Sequence, residues 1–383
     1  MPAENARYRL KDANDLFSEG DKALSHSRPA EARSMFESAL VIYRHVGSAL
    51  GEANCVRRLA DIDVRQGRYA AATEGYDQAS RLYGDLSNTH GEANCHKGLG
   101  DLALLHGNLA GAGEKYRQAL TIFRTVGDRL GEANCVKGLS DAAFRATDCT
   151  EARLGYQKSR ILYRELTNRF GEASACEGLG DVALAQQDEE RAVELFENAL
   201  RLYEEAGDAH GQANCLQSLG DIDLARANAS AAQQKFERAL DHYRKVGTEV
   251  GEANCLMRLG NLALSKSDRV TARLAFEQAL PLYARSQTVF GVANCIFSLA
   301  EVAMRSGSAH YARELFSQAA SMYLRAGDAL GGANCIMRLA DVARLSSDFE
   351  SARSAYKQAL KMFQTIGDRV GEDACVRGLA NCP

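Results

Sequence analysis

Apolar and small residues recur along this chain at spacings of three, four and seven, and the whole pattern returns every 40 residues without an insertion. Each period holds two stretches with helical spacing, separated by short breaks of Gly, Ser, Asn and Asp, and so reads as a pair of antiparallel α-helices. Counted from the Gly of the pentapeptide GEANC, repeats begin at residues 11, 51, 91, 131, 171, 211, 251, 291 and 331. Residues 1–10 are read as the lead-in to the first helix, 11–370 as nine repeats, and 371–383 as a terminal half repeat. Position 38 of the repeat is Ser48, Asn88, Asp128, Asn168, Asp208, Thr248, Thr288, Asp328 or Asp368. Each can cap a helix N-terminus with its side-chain oxygen, so a helix of about 18 residues, helix A, is predicted to start there. Helix B follows a small or polar break such as Gly107-Asn108 or Ser267-Asp268.

Helix B carries Ala at position 22 in all nine repeats, from Ala32 to Ala352, and an aromatic residue at positions 26 and 33, as in Tyr116 with Phe123. Spacings of four and seven place these on one helical face. The two aromatic columns hold 18 of the 27 aromatic residues, so that face is committed to a neighbouring helix. Helix A has two stripes. Positions 5, 6, 9, 12 and 13 are apolar, with Leu at position 9 from Leu59 to Leu379; positions 4, 7, 8 and 11 are polar. The apolar stripe is the expected core, and the polar one faces something else.

GEANC itself sets a carboxylate, an amide and a thiol within four residues, the ingredients of a catalyst. It stands intact at 51, 91, 131 and 251, with close variants at 171, 211, 291, 331 and 371. A period of this kind marks a stacked array whose every member solves one packing problem, and no enzyme is expected. Eight of the eleven Cys hold position 5: Cys55, Cys95, Cys135, Cys215, Cys255, Cys295, Cys335 and Cys375. Adjacent helices lie about 8 to 10 Å apart, beyond disulfide reach, so these thiols are expected reduced and buried as small hydrophobes. Ala175 and Asp15 occupy the same slot. One Cys per repeat does not converge on a metal, and neither a metal nor another cofactor is expected. The segments 98–103 and 178–183 match GxGxxA but fall inside helix A with no strand before them, so they are read as close-packing glycines rather than a nucleotide loop.

With 46 basic and 50 acidic residues the net charge is -4, which offers no bulk attraction to nucleic acid or to an anionic membrane. No apolar run resembles a signal peptide or a membrane span, so a cytoplasmic protein is expected, in which the sequon at Asn228 stays unmodified.

A two-helix unit with Leu-Gly in helix A, then Ala, an aromatic and another Ala in helix B, resembles the tetratricopeptide repeat over about residues 11 to 383. The 40-residue period with its G-D-x-x-G-E-A opening looks like the longer variety found in kinesin light chains, in Pins-type polarity adaptors and in arrays attached to fungal NACHT receptors. The resemblance implies an all-α, right-handed superhelical solenoid whose helix A stripe lines a concave groove able to clamp an extended peptide.

On that reading the groove candidates are the position 4 amides Asn54, Asn94, Asn134, Asn214, Asn254, Asn294 and Asn334, and the position 11 acids Asp101, Asp141, Asp181 and Asp221. An amide both donates and accepts, and so can satisfy a peptide bond whatever its side chain. The alternative is an internal ladder that stiffens the stack. Selectivity is expected from the variable positions 7 and 8, namely Arg57, Lys97, Lys137, Met257, Arg258, Phe297 and Met337. The pattern slips at the centre, where Ser159 and Arg160 replace Ala and Leu and repeat 5 reads Ser174-Ala175-Cys176; a hinge or docking site is one reading of that slip. The expected function is a non-enzymatic scaffold that holds an extended segment of a protein or peptide partner. The alternatives are a ligand-recognition array of a larger NACHT-type receptor and a self-associating solenoid. Residues 371–383 repeat the helix A pattern without a polar cap, which suits a fragment, a covered end or end-to-end association.

Overall fold

The structure, a computed structural model, describes residues 3–26 and 28–382. Residues 1 and 2 of the expected lead-in and Pro383 of the expected half repeat lie outside the described residues. The described chain is all-α, with nineteen helices and no strand among the described residues. In chain order these are α1 (Ala3–Ser25), α2 (Pro29–Val46), α3 (Ala49–Arg65), α4 (Tyr69–Asp85), α5 (Thr89–Leu105), α6 (Leu109–Val126), α7 (Arg129–Arg145), α8 (Cys149–Glu165), α9 (Arg169–Ala185) and α10 (Glu189–Ala206). Next come α11 (Ala209–Ala225), α12 (Ala229–Val246), α13 (Glu249–Ser265), α14 (Arg269–Arg285), α15 (Val289–Arg305), α16 (Ala309–Arg325), α17 (Ala329–Leu345), α18 (Phe349–Ile366) and α19 (Arg369–Ala380). Odd-numbered helices are helix A of a repeat and even-numbered ones helix B.

The boundaries follow from capping chemistry. Ser48, Asn88, Asp128, Asn168, Asp208 and Asp328 each accept a hydrogen bond from the backbone N–H of the Gly that opens the repeat. Thr248 and Thr288, expected to do the same, make no side-chain cap. Their helices start at the corresponding residue nonetheless, because the Thr carbonyls accept the N–H of Glu252 and Val292 at 3.0 Å. Helices α2, α6, α12 and α18 close on Gly47, Gly127, Gly247 and Gly367 in the left-handed conformation, which glycine adopts without a Cβ penalty.

The chain divides into two compact regions, Met1–Leu202 and Tyr203–Pro383. In the first, α1 to α9 each pack on their neighbours in sequence, and helix A also touches the next helix A in the pairs α3 with α5, α5 with α7 and α7 with α9. In the second, α11 to α19 do the same, with α11 touching α13, α13 touching α15, and α17 touching α19. The alanines of position 22 are fully buried in both regions, Ala32 through Ala192 in the first and Ala232 through Ala352 in the second. Small residues there let helix B approach its neighbours, and the rings of positions 26 and 33 fill the space beside them. Tyr83, Tyr116, Phe123, Phe196, Phe236, Phe276, Phe316 and Phe363 are almost wholly enclosed. Burying a ring of this size contributes about 2 to 3 kcal/mol each.

The thiols of position 5 are fully buried from Cys55 to Cys375, as is Ala175. All the described cysteines are free thiols, and burial pushes those of Cys55, Cys135 and Cys255 up to about 12. Asp15 departs from this column and is exposed. It lies on α1, which among the described residues has no helix before it to cover position 5.

Candidate functional site

Each residue of GEANC has a structural partner. The Gly lies beneath the position 33 ring of the preceding repeat: a Cβ on Gly51 would stand 2.3 Å from the Tyr43 ring, and one on Gly251 2.4 Å from that of Tyr243. Where position 34 of the preceding helix B is Arg, the Glu pairs with it in four repeats. Arg44 reaches Glu52 at 2.8 Å, Arg124 reaches Glu132 at 2.9 Å, Arg164 reaches Glu172 at 2.7 Å and Arg244 reaches Glu252 at 2.9 Å. The Ala and Cys are core. Asn is held by the phenol of its own repeat: Tyr83 donates to Asn54 Oδ1 at 2.6 Å, Tyr163 to Asn134 at 2.7 Å, Tyr243 to Asn214 at 2.8 Å and Tyr283 to Asn254 at 2.6 Å, and Tyr323 donates likewise to Asn294. One position 33 tyrosine therefore clamps three helices, its ring on the next repeat's Gly and its hydroxyl on its own repeat's Asn. Two repeats carry Phe123 and Phe363 at that position. In the first of them, Asn94 turns its amide N–H to the His90 carbonyl at 3.0 Å; Asn334 belongs to the second.

The acids of position 11 are satisfied in two ways. Where position 26 is Tyr, its hydroxyl donates to the carboxylate of the same repeat: Tyr76 to Asp61, Tyr116 to Asp101 and Tyr156 to Asp141 at 2.7 Å, and Tyr356 to Asp341 at 2.5 Å. Burial, with the facing carboxylate, pushes the Tyr76, Tyr116 and Tyr156 phenols well above their ordinary value. The next repeat then has Gly at position 8, and a Cβ on Gly98, Gly138, Gly178 or Gly378 would meet that tyrosine ring at 2.4 to 2.6 Å. In three of the five repeats with Phe at position 26, an arginine at position 8 of the next repeat reaches the acid instead. Arg58 pairs with Asp21 at 2.9 Å, Arg258 with Asp221 through two contacts of 2.5 and 2.8 Å, and Arg338 with Glu301 at 2.8 Å. The Arg258 guanidinium also stands 5.9 Å over the Phe236 ring.

Asp181 has neither device. Its own repeat carries Phe196 at position 26, and position 8 of the next repeat is Ser218. Burial, then the negative charges of Glu177 and Asp141, push the Asp181 carboxyl up to about 7. It borders a cavity of about 390 Å³ lined also by Lys137, Asp141, Phe144, Arg145, Tyr156, Ser174 and Glu177. This cavity lies where the sequence pattern slips between repeats 4 and 5. At the slip Tyr163 and Leu162 are buried against Ala133 and Ala175, and Ser159 is buried with its hydroxyl on the Tyr156 carbonyl at 3.0 Å.

The remaining candidates are half-buried and already engaged. Arg57 pairs with Asp61 at 3.2 Å, Lys97 with Asp101 at 2.7 Å and Lys137 with Asp141 at 2.9 Å. Burial lowers the Lys97 ammonium, but Asp101 outweighs it and the net shift is upward. Met257, Phe297 and Met337, expected to stand where solvent or ligand would be, are partly buried and pack on neighbouring core. Met257 Sδ lies 3.3 Å from Cys295 Sγ, and Phe297 meets Phe316 edge-on at 5.4 Å. An unbranched thioether or a flat ring at position 7 covers the seam between two repeats better than it reaches outward. The GxGxxA segments lie inside α5 and α9, their glycines under the rings of Tyr76, Tyr116, Tyr156 and Phe196. Among the described residues no cluster of His, Cys, Asp and Glu has the geometry to hold a metal ion, and no helix is long and apolar enough to cross a membrane.

The pairings of helix A with helix B are absent from the expectation, although a signal for them exists. Tyr at position 26 is followed by Gly at position 8 of the next repeat, at 76 and 98, 116 and 138, 156 and 178, and 356 and 378. Phe is followed by Arg or Ser, at 36 and 58, 196 and 218, 236 and 258, 276 and 298, and 316 and 338. That covariation inside one chain marks the two devices.

A model of the tetratricopeptide repeat matches residues 171–245 and 292–365, and a model of the soluble NSF attachment protein, SNAP, matches residues 4–150. No curated protein sequence matches the chain. Among solved structures, a signal transduction ATPase with numerous domains from Pyrococcus horikoshii, which has a tetratricopeptide repeat sensor, superposes with a TM-score of 0.74 at 15% identity. The match covers 99% of this chain and 55% of that one, so the chain spans about half that protein's length. The apo form of the quorum sensor NprR from B. thuringiensis superposes at 0.66 with 14% identity, covering 92% of this chain and 99% of that one. A Rap protein complexed with competence and sporulation factor gives 0.58 at 13% identity, covering 90% and 98%. Identities this low establish a shared fold.

Proposed function

Because the chain is a tetratricopeptide-repeat protein, we propose that it is a non-catalytic scaffold whose helix A stripe binds an extended segment of a protein or peptide partner. The observation that carries this reading is the bonding of the Asn column. In Asn54, Asn134, Asn254 and Asn294 the tyrosine hydroxyl uses the carbonyl oxygen of the amide. The bond fixes the rotamer, and the amide keeps two N–H donors of its own. A peptide backbone supplies carbonyl acceptors at every residue, and donors already held in place lose little entropy on meeting them. The ladder and the ligand surface are thus two uses of the same residue. Acids of position 11 that lie beside them, Asp101 and Asp141 among them, accept from peptide N–H groups. Among the structures of similar fold are a quorum sensor and a Rap protein in complex with a factor, which is the kind of partner envisaged here.

A second reading, a sensor array within a larger signalling protein, is favoured by the match of this whole chain to about half of an ATPase with a tetratricopeptide repeat sensor. It differs in the consequence of binding rather than in how binding occurs.

The test is selection of random displayed peptides on the full chain, set against an Asn54→Asp and Asn134→Asp double variant. Asp keeps an acceptor for Tyr83 and Tyr163 but has no N–H donors, so folding is retained while recovered peptides lose at least tenfold in affinity. Equal affinity for both proteins, or no enrichment on the wild type, contradicts the groove reading.

A further inference from the structure

The cavity of about 390 Å³ between repeats 4 and 5 stands out because one acid that lines it lacks the internal partner its counterparts have. Four position 11 acids accept a tyrosine hydroxyl, and three others are met by an arginine of the following repeat. Among the described residues no hydrogen bond or ion pair reaches the Asp181 carboxylate. The two cations on the cavity wall are committed elsewhere: Lys137 to Asp141 at 2.9 Å, and Arg145 to the Leu104 carbonyl at 2.8 Å. Glu177, one helical turn before Asp181, adds a further negative charge to the same wall.

The rest of the chain shows what occupies an acid of this column when its helix B has Phe. In each of the three arginine-paired cases it is a guanidinium, and at Asp221 that guanidinium is bidentate and stacked over Phe236. Phe196 holds the repeat position of Phe236, and Asp181 that of Asp221. We propose that the cavity at Asp181 receives the guanidinium of an arginine side chain from the bound partner segment, supplying in trans the group that Arg58, Arg258 and Arg338 supply in cis. This rests on the groove reading and adds a side-chain preference to it: one arginine, positioned at the junction of repeats 4 and 5. Ser174, a smaller residue than the usual Asn of position 4, lines this cavity. The charged groups facing the site are Lys137, Asp141 and Arg145 from α7 and Glu177 from its own helix α9.

The experiment is an NMR titration of the full chain, carboxyl-labelled at aspartate, with N-acetyl-arginine methylamide and, as a neutral mimic of the same shape, N-acetyl-citrulline methylamide. Saturable movement of the Asp181 carboxyl signal with the arginine probe, at least tenfold weaker with citrulline, is the expected result. In Asp181→Asn the Ser174 and Arg145 amide signals then respond to the arginine probe at least tenfold more weakly than in the wild type. This variant removes a buried charge without a partner, so it folds, and a melting curve at or above that of wild type verifies it. Equal response to both probes, or an unchanged affinity in Asp181→Asn, overturns the proposal. Peptide selection on the same two proteins separates the two readings. Arginine enriched on the wild type and lost on Asp181→Asn supports the proposal. Recovered peptides with no basic residue, together with a silent arginine titration, sink the proposal and leave the groove standing. A positive titration with no peptide recovered supports the cation site and removes the groove.

Discussion

Repeats 2 to 4 and repeats 6 and 8 carry the same acid column and neutralise it by opposite means. In the former, a helix B phenol of the same repeat donates to Asp61, Asp101 and Asp141, and the next helix A must be Gly at position 8 to admit the ring. In the latter, Phe236 and Phe316 leave Asp221 and Glu301 to Arg258 and Arg338 of the next helix A. The first device ties helices within a repeat and the second ties one repeat to the next. Position 26 and position 8 therefore change together, and a repeat with Phe at position 26 but no arginine at the next position 8, as at Asp181, has an acid with no internal partner.

The largest effect is expected from mixing the devices. Gly138→Arg places a side chain against a tyrosine ring that a Cβ alone would approach to 2.5 Å, and a loss of about 3 kcal/mol or more is expected in denaturant unfolding. Adding Tyr116→Phe frees the ring from Asp101, so the double variant recovers at least about 1 kcal/mol; strictly additive losses would contradict the paired account. Next comes Arg258→Ala, which leaves the Asp221 carboxylate without its two contacts and costs about 1 to 3 kcal/mol by thermal melting. Arg258→Ala combined with Asp221→Asn is expected to cost less than Arg258→Ala alone.

Asp181 sharpens the comparison from the other side. Its carboxyl is raised in the folded chain, so between about pH 4 and 7 the folded state keeps a proton that the unfolded state has released. Stability contributed by this group is therefore level below about pH 4 and falls as pH rises through 7. Asp181→Asn removes that slope and is expected to be more stable than wild type above pH 7, by roughly 1 to 3 kcal/mol. A wild-type and variant pair whose stabilities run parallel from pH 4 to 8 would show that the acid is not enclosed as described. The smallest effect belongs to the ladder. Tyr163→Phe removes one neutral hydrogen bond to Asn134 and costs about 1 kcal/mol, and a double-mutant cycle with Asn134→Ala reads the coupling directly.

The fold was legible because each constraint is written many times. Position 38 caps, the alanines from Ala32 to Ala352 and the aromatic columns appear in every repeat, so chance substitutions do not obscure them. The buried thiols were legible for the same reason; Asp15 was not, since a column rule assumes a preceding helix that α1 lacks among the described residues. The polar stripe was legible as a surface but not as a bonding scheme. Asn and Asp at positions 4 and 11 were placed on one face of helix A, yet their partners are tyrosines on helix B, which hydrophobic periodicity counts only as core. A phenol is both ring and donor, and only the Tyr or Phe choice distinguishes them. Met257, Phe297 and Met337 lie at position 7, the edge of two stripes, where long side chains fold back over a seam.

The measurement that bears most directly on the two-device account is a carboxyl-detected NMR pH titration of Asp181. Because this acid has neither a helix B phenol nor an arginine from the next repeat, its midpoint is expected near 7. A midpoint at the ordinary aspartate value would mean that Asp181 has a partner or solvent enough of its own, and would contradict both the rule and the arginine site built on it.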